Sequence, residues 1–387
     1  MFVLAIPRRE GHWHTGVPSQ REGLESRVAE EFHFRNTGET MRKLLAVLIV
    51  GMLVWWSIGA AMAAGPRKLD VASTFPLGLT VLSEGGQMMI DKVEAMSNKK
   101  IRLRLHGSGD LVPAFEVFNN VSSGALLAGW DWIGYWSGTV PVAGLLGAMP
   151  FGPDPQTFAG WVYNGGGVEI LQKEYDKYNI KVLPCSIIPA EGGGWFNKEI
   201  NSVEDLKGLK MRISGLGAKV LTKYGVSTQL IPGGEIYLAL ERGRIDATEF
   251  SLPEIDKQLG FYRIAKYRYF PGWHQPASIN SFIMNMDVWK KYSAQEQSWF
   301  LNACKANITD ILNIPVRQGV VIDELKTKGV QYRRFPESVL AAMRRTSREV
   351  LEEEASKDAG FKAAYESLLA YMKKTDTWNK LQVIPRD

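Results

Sequence analysis

Hydrophobic and polar positions follow two alternating periods along the chain after residue 66. Residues 68–74 and 101–107 alternate as strands do, while apolar positions within 81–97 recur near helical spacing. A second helix near 113–123 leads into the apolar stretch 126–134. This strand–helix–strand rhythm predicts an α/β layer with helices on both faces of a sheet.

A second rhythm of the same kind begins near residue 195. The pattern predicts a short strand at 209–213, a helix at 233–243 and a strand at 279–285 that crosses back to the first sheet. From Ala294 onward it is almost wholly helical, with a long stretch to about Lys326. No Pro/Ser-rich linker separates the two parts, so we expect two α/β lobes tied by hinge strands, followed by a helical C-terminal region.

The N-terminal region has the features of an export signal. Residues 41–63 combine a basic start, a short apolar core and an Ala-x-Ala site, which predicts cleavage between Ala63 and Ala64 and a periplasmic protein. The alternative is a membrane anchor, but the apolar run is shorter than the ~20 residues that a spanning helix needs. Residues 1–40 show no sustained period, and we interpret them as a mis-assigned upstream translation start.

Chain length and the two rhythms together predict domain boundaries. Residues 64–387 suit two domains. We place the first lobe at about 66–188 plus the later return, the second at about 189–280, and the helical region at about 286–380.

Charge and cysteine content exclude some classes of function. The chain has 46 basic and 41 acidic residues with no basic run, which gives no case for nucleic-acid binding. Its two cysteines, Cys185 and Cys304, could pair in an oxidising compartment. Since they are far apart in sequence and follow no pattern, we expect buried free thiols.

Catalytic motifs are missing from the sequence. It has no G-x-S-x-G, H-E-x-x-H, C-x-x-C or Walker sequence, and only His106 and His274 follow the predicted cleavage site, neither in a catalytic motif. We therefore expect a protein that is not an enzyme and has no catalytic cofactor. The role of one charged residue remains to be explained. Arg212, at the end of the strand 209–213, is either a structural ion-pair partner or a residue that binds an anionic ligand.

Several segments together resemble one family. They are DLVPAFEVFNNVSSG (110–124), GWDWIGYWSG (129–138), YNGGGVEI (163–170), GGWFNKEINSVEDLKGLKMRISGLG (193–217) and the run from IPGGEIYLALERG to YFPGWH (231–274). The chain is similar, over about 68–380, to the periplasmic substrate-binding subunit of tripartite ATP-independent (TRAP) transporters of the DctP type. It most resembles the subgroup for 2-oxo and 2-hydroxy monocarboxylates. The resemblance implies a two-lobed α/β periplasmic binding protein, type II-like.

The resemblance assigns roles to individual residues. It implies that Arg212 grips the ligand carboxylate through paired N–H donors, a geometry that suits a guanidinium. It also implies a cation that bridges protein and ligand, held at Glu191, Glu249, Phe250 and Gln275.

Three of these four positions depart from the subgroup, which has Gln at 191, Trp at 250 and Glu at 275. The exchange at 191 and 275 keeps two carboxylates, whose oxygens suit Na⁺ or Ca²⁺. Phe250 would offer only its backbone carbonyl. The alternative is that Glu191 and Gln275 are polar side chains exposed to solvent on the protein surface.

Aromatic residues are the remaining candidates for the ligand site. Tyr135 and Trp195 are expected to line it ahead of Trp136, Phe250 and Trp273, since an aromatic at strand spacing usually belongs to the core. The segment STFPLG, 73–78, is a candidate lip of the site, or simply a turn.

The resemblance implies a receptor for a pyruvate- or lactate-like acid that delivers its ligand to the membrane permease subunits of a TRAP transporter. The alternatives are a receptor for an aromatic or dicarboxylic acid and a periplasmic enzyme acting on such acids. The resemblance also implies a homodimer through C-terminal helices, with 294–326 as the candidate segment. The alternative is a monomer in which one helix packs across both lobes.

Overall fold

The described residues from 67 to 381 belong to a single unit of the chain. The computed structural model describes residues 41–43, 45–46, 48–49 and 67–381, without the side chains at 310 and 311. The predicted segment 1–40 and most of the predicted export signal lie outside these residues; the described part of the signal is helical. None of the described helices is both long and apolar enough to cross a membrane.

The first sheet has five strands in the order β2-β1-β3-β10-β4. They are β1 (Arg67–Ser73), β2 (Ile101–His106), β3 (Ala128–Trp132), β4 (Ile180–Ile188) and β10 (Ser278–Asn285). β1 pairs in parallel with β2 and β3, whereas β10 lies antiparallel between β3 and β4. The predicted return of the chain to the first sheet at 279–285 is confirmed by this pairing.

Burial along the strands follows their position in this sheet. The edge strand β2 alternates buried and exposed residues, while β3 and β10 are buried at every position because helices cover both of their faces. The α/β layer predicted from the hydrophobic period is therefore present.

The second sheet has six short strands in the order β11-β9-β5-β8-β6-β7. They are β5 (Gly194–Phe196), β6 (Lys210–Arg212), β7 (Ser227–Gln229), β8 (Ala247–Thr248), β9 (Tyr267–Phe270) and β11 (Gln331–Arg334). β6 pairs in parallel with β7 and β8, and Arg212 lies opposite Thr248. Arg212 is thus the last residue of β6, at the carboxyl edge where α/β sheets place their ligands.

Thirteen α-helices connect and cover the strands between residues 67 and 381. They are α1 (Ser83–Met96), α2 (Val117–Ser123), α3 (Pro141–Gly147), α4 (Pro155–Asn164), α5 (Gly167–Asp176), α6 (Gly215–Thr222), α7 (Ile236–Glu241), α8 (Pro253–Gln258), α9 (Met286–Trp289), α10 (Ala294–Asn307), α11 (Ile314–Thr327), α12 (Glu337–Lys357) and α13 (Ala359–Leu381).

The C-terminal region differs from the prediction in two ways. The expected long helix at 294–326 is two helices, α10 and α11, separated by a 3₁₀ segment at Ile308–Asn313. The helical region is also interrupted by β11, which pairs in parallel with β9. β11 is mostly exposed and has no apolar alternation, so its pairing with β9, rather than its own pattern, makes it a strand.

Helices from the C-terminal region contact both halves of the fold. α10 packs on α1 and β4, whereas α11 packs on α8. α13 packs on α3, α4 and α5, and α12 packs on α6. These contacts are divided among four helices, whereas the monomeric alternative required one helix packed across both lobes.

The expectation of free thiols was wrong. Cys185 in β4 and Cys304 in α10 form a disulfide in the buried core. α10 packs directly on β4, which brings together two cysteines that are 119 positions apart in sequence. Their spacing gave no sign of this because the contact depends on the tertiary fold.

Replacing both cysteines with alanine should destabilise the protein. The disulfide closes a loop of more than a hundred residues, and loss of such a cross-link raises the entropy of the unfolded chain. We expect the free energy of unfolding to fall by about 2–5 kcal/mol. Urea denaturation of the double variant and the oxidised parent measures this, and equal midpoints for the two would contradict it.

Candidate functional site

A small cavity lies between the two sheets and includes most of the predicted site residues. Tyr135, Glu191, Arg212, Phe250 and Gln275 all line it. Phe75, within the predicted lip 73–78, lines it as well, and the enclosed volume is about 20 Å³. The cavity has room for about one water molecule.

Arg212 and Glu249 form a buried ion pair beside this cavity. Arg212 Nη1 donates to Glu249 Oε1 and to the Glu249 backbone carbonyl, both at 2.8 Å, and Nε donates to the Ile231 carbonyl at 3.2 Å. The two residues are about 1% exposed. The pairing of β6 with β8 explains their contact, because Glu249 directly follows the residue opposite Arg212.

Glu249 is held as a carboxylate by this arrangement. Oε1 also accepts hydrogen bonds from the Ser214 amide at 2.9 Å and from Ser214 Oγ at 3.3 Å. Burial alone would raise the pKa of Glu249. Arg212, His274 and the Ser214 amide outweigh burial and lower this pKa to about 2.

The pKa of Glu191 is shifted in the opposite direction from that of Glu249. Its Oε1 accepts a hydrogen bond from Ser251 Oγ at 2.8 Å, but Oε2 is buried and has no hydrogen-bond partner. Burial raises the pKa of Glu191 well above its ordinary value, and the neighbouring negative charge of Glu249 raises it further. Glu191 and Gln275 are only 3% and 4% exposed, so they are not polar side chains in contact with solvent, which was the alternative.

Two glycines allow the backbone to bring Glu191 to this position. A Cβ on Gly192 would lie 2.4 Å from the Arg268 guanidinium, and a Cβ on Gly272 would lie 2.2 Å from the Glu191 carbonyl. Any larger residue at these positions would displace the chain that carries Glu191.

His274 is the site residue that sequence reasoning missed. It is 1% exposed, and its Nε2 lies 3.4 Å from Glu249 Oε2 and 3.9 Å from Glu191 Oε2. It belongs to no catalytic motif, so the motifs of the sequence do not indicate a role for it. Its position directly before the predicted ligand Gln275, in the segment PGWH, was the available sign.

Tyr135 faces Arg212 from the first half of the fold. Burial raises the pKa of Tyr135 to about 12, although the positive charge of Arg212 acts to lower this pKa. The phenol is therefore neutral at physiological pH and can donate a hydrogen bond.

The structure does not bring Trp195 to the cavity. Trp195 is fully buried and donates its indole N–H to Asp256 Oδ2 at 2.8 Å, with the Arg268 guanidinium 5.1 Å from its ring centre. Trp136 and Trp273 also lie in the core, outside the cavity lining. Phe250 does line the cavity, and its ring centre lies 5.1 Å from the Arg212 guanidinium.

Glu191→Gln should remove a pH-dependent loss of stability. A carboxyl whose folded pKa is raised favours folding only while it is protonated. Its contribution is therefore lost as pH rises from the unfolded value of 4.5. We expect the variant to gain stability relative to the parent between about pH 5 and 7.

Thermal melts without ligand and in chelator test this prediction, with Glu241→Gln, at an exposed carboxylate in α7, as the control. A stability difference between Glu191→Gln and the parent that does not change with pH would contradict it.

The chain is similar to known solute-binding proteins. The model of the DctP family, bacterial extracellular solute-binding protein family 7, matches residues 78–358. The monocarboxylate 2-oxoacid-binding periplasmic protein of Nostoc sp. is 36% identical over 298 residues, covering 77% of this chain and 82% of that protein.

Two solved structures are also similar over most of the chain. A TRAP periplasmic solute-binding protein of Colwellia psychrerythraea, with bound calcium and pyruvate, is 35% identical (TM-score 0.77, 82% of this chain and 97% of that one). A Bordetella bronchiseptica TRAP transporter solute-binding protein, with calcium and picolinate, is 30% identical (TM-score 0.80, 82% and 95%). The chain therefore belongs to the DctP family of TRAP transporter solute-binding proteins.

Proposed function

We propose that this protein is a periplasmic receptor for a small 2-oxo or 2-hydroxy monocarboxylate, such as pyruvate or lactate. Arg212 binds the ligand carboxylate, and a cation bridges the ligand to the protein. The observation that carries this proposal is the buried guanidinium of Arg212 beside two buried carboxylates at one cavity.

Arg212 retains donors for a ligand after its contacts within the protein. Nε and Nη1 make the hydrogen bonds to Ile231 and Glu249, which leaves the two N–H groups of Nη2. Tyr135 adds a neutral hydroxyl on the same side. The grip on a carboxylate then comes from Nη2 and Tyr135, and differs from the two-nitrogen fork that the sequence suggested.

The buried carboxylates fit a cation. Oε2 of Glu191 has no hydrogen-bond partner, and ligand atoms of Glu191, Glu249 and His274 lie within 4.8 Å of one another. If Glu191 ionises beside Glu249, a bound carboxylate adds a third negative charge against one guanidinium, and a positive ion would offset the repulsion that Arg212 alone leaves. A bound ion would also attract the carboxylate and 2-oxygen of a 2-oxo acid.

The ligands we propose for this ion are Glu191, Glu249, the Phe250 carbonyl and Gln275. Calcium is the ion named with both solved structures described above, and the carboxylate and amide oxygens here suit Ca²⁺ or Na⁺.

Known relatives support the monocarboxylate class. The Nostoc protein is named for 2-oxo acids, and the Colwellia structure contains pyruvate. A dicarboxylate would bring one more negative charge into a cavity that already has two carboxylates. Picolinate in the Bordetella structure makes an aromatic acid the second candidate.

Ligand entry requires the cavity to open. A volume of about 20 Å³ is too small for a three-carbon acid, so the residues that line the cavity must separate and close again. Because the lining comes from both halves of the fold, closure gives the permease subunits of a TRAP transporter a surface that differs between free and bound receptor.

Arg212→Lys should weaken binding without unfolding the protein. Lysine keeps a positive charge beside Glu249 but loses the planar donors, so we expect pyruvate affinity to fall by about 1.5–3 kcal/mol. Isothermal titration calorimetry measures this, with Arg242→Lys at an exposed position as the control.

Unchanged affinity in Arg212→Lys would remove Arg212 from the site. The same titration with picolinate and succinate separates the ligand classes, and turnover of pyruvate or lactate would favour an enzyme.

Removal of the cation should reduce affinity for the acid. After exhaustive chelation, with sodium replaced by a large organic cation, we expect pyruvate to bind at least about tenfold more weakly, and added Ca²⁺ to restore binding. Calorimetry in matched buffers measures both steps. Affinity that is the same in all buffers would leave a proton on Glu191 as the neutralising charge.

An apolar stripe supports dimerisation through the segment 294–326. Leu312, Val316 and Val320 recur every four residues and are 79%, 70% and 67% exposed. Exposed apolar side chains in a row are typical of an interface between subunits. We propose that α11 forms the dimer contact.

Charging this stripe should dissociate the dimer. We expect the parent to have twice the monomer mass in light scattering and Val316→Glu/Val320→Glu to have the monomer mass, because two buried carboxylates oppose association. Leu238→Glu, at a half-exposed leucine in α7, is the control. A monomeric parent protein would contradict the proposal.

A further inference from the structure

Two buried polar side chains of the first sheet have no hydrogen-bond partner among the described residues. Trp132, the last residue of β3, lines the cavity and is 4% exposed, and its indole Nε1 makes no hydrogen bond. Asn280 in β10 is fully buried, and neither Oδ1 nor Nδ2 has a partner. Buried polar groups of this kind cost free energy until something binds them.

The pairing of β3 with β10 puts these two side chains on one face of the sheet. Asn280 lies directly opposite Trp132 in the antiparallel ladder. Residues in this relation project to the same side of a sheet, with Cβ atoms about 4.5–5.5 Å apart. The indole and the carboxamide are therefore neighbours on the face that brings Trp132 to the cavity.

Glycines make room for the indole. A Cβ on Gly134 would lie 2.1 Å from the six-membered ring of Trp132, so any larger residue there would displace the ring. A Cβ on Gly147 of α3 or Gly215 of α6 would lie 3.4 Å or 3.8 Å from the same ring. The indole also meets Tyr135 edge-on, with ring centres 5.0 Å apart. These contacts hold it beside a residue that we assign to the ligand carboxylate.

We propose that Trp132 and Asn280 bind a hydroxyl group on C3 of the ligand, so that the receptor prefers hydroxypyruvate and glycerate to pyruvate and lactate. The hydroxyl oxygen accepts a hydrogen bond from Trp132 Nε1 and donates its proton to Asn280 Oδ1. A hydroxyl suits this pair because it is both an acceptor and a donor. A methyl group would leave both side chains without a partner.

The positions of the other ligand contacts support an interaction at C3. Arg212 lies at the edge of the second sheet, whereas Trp132 belongs to the first. When the carboxylate is at Arg212 and the 2-oxygen is at the cation, C3 is the part of a three-carbon acid that is left to meet the first sheet. Phe75, Leu82 and Ile188, which also line the cavity on this side, are apolar and offer no side-chain hydrogen bond.

This inference rests on the proposed function and names a narrower class of substrate for the same cavity. It concerns the end of the ligand that neither Arg212 nor the cation binds. The indole also fills space at this wall, which favours a three-carbon acid over a longer one.

Paired ligands test the hydroxyl contact. In calcium buffer, calorimetry should show hydroxypyruvate binding at least about tenfold more tightly than pyruvate, and glycerate binding more tightly than lactate by a similar ratio. Trp132→Phe keeps an aromatic ring but loses the N–H, and Asn280→Leu keeps the volume but loses the amide. Each variant should lower these ratios at least about threefold. Trp378→Phe, at an exposed tryptophan in α13, is the control and should keep them.

NMR gives a second readout, of the N–H group itself. In protein labelled with ¹⁵N at the tryptophan indoles, the Trp132 signal is the one that is missing from Trp132→Phe. Hydroxypyruvate should move this proton downfield of its position with pyruvate, because a new hydrogen bond deshields it. A role of Trp132 in packing alone predicts the same position with both acids and equal losses of affinity for both in Trp132→Phe.

The outcomes separate this inference from the proposed function. Equal affinities within each pair of acids in the parent protein overturn the hydroxyl contact and leave the monocarboxylate receptor intact. A preference that survives in both Trp132→Phe and Asn280→Leu overturns the assignment to these residues. If none of the four acids binds, the proposed function fails together with this inference. If neither variant folds, the affinity ratios of the parent protein still decide whether the hydroxyl is recognised.

Discussion

The site depends on one buried ion pair, between Arg212 and Glu249. Neither residue could be buried alone, because an unpaired charge in the protein interior is costly. Adjacent parallel strands solve this problem, since β6 ends at Arg212 and β8 ends one residue before Glu249. The pairing of two short strands thus places a guanidinium and a carboxylate at the same edge of a sheet.

A second buried ion pair is connected to Glu191 through a single serine. Arg268 and Asp256 are 2.7 Å apart and fully buried. Ser251 connects them to Glu191: its carbonyl accepts from Arg268, its amide donates to Asp256, and its hydroxyl donates to Glu191. The orientation of Glu191 therefore depends on residues that never face the cavity, which explains why Trp195, a partner of Asp256, lies in this supporting layer.

The sequence predicted much of this arrangement because some of its signals are local. Alternating hydrophobic periods indicated the strands, and the segment around Arg212 placed that residue at a strand end. The parts that could not be predicted depend on tertiary contacts. β11 becomes a strand through its neighbour, the Cys185–Cys304 disulfide joins distant elements, and His274 gains its role only where Glu191 and Glu249 meet it. Trp195 was misplaced because strand spacing does not reveal which face of β5 meets the cavity.

The disulfide has a mechanical consequence for ligand capture. It fastens α10 covalently to β4 in the first sheet. The next helix, α11, packs on α8, which follows strand β8 of the second sheet. Between these two attachments the backbone has only the 3₁₀ segment Ile308–Asn313. Because the disulfide fixes α10 to β4, a separation of the two halves that keeps α11 on α8 must change the backbone conformation after Cys304.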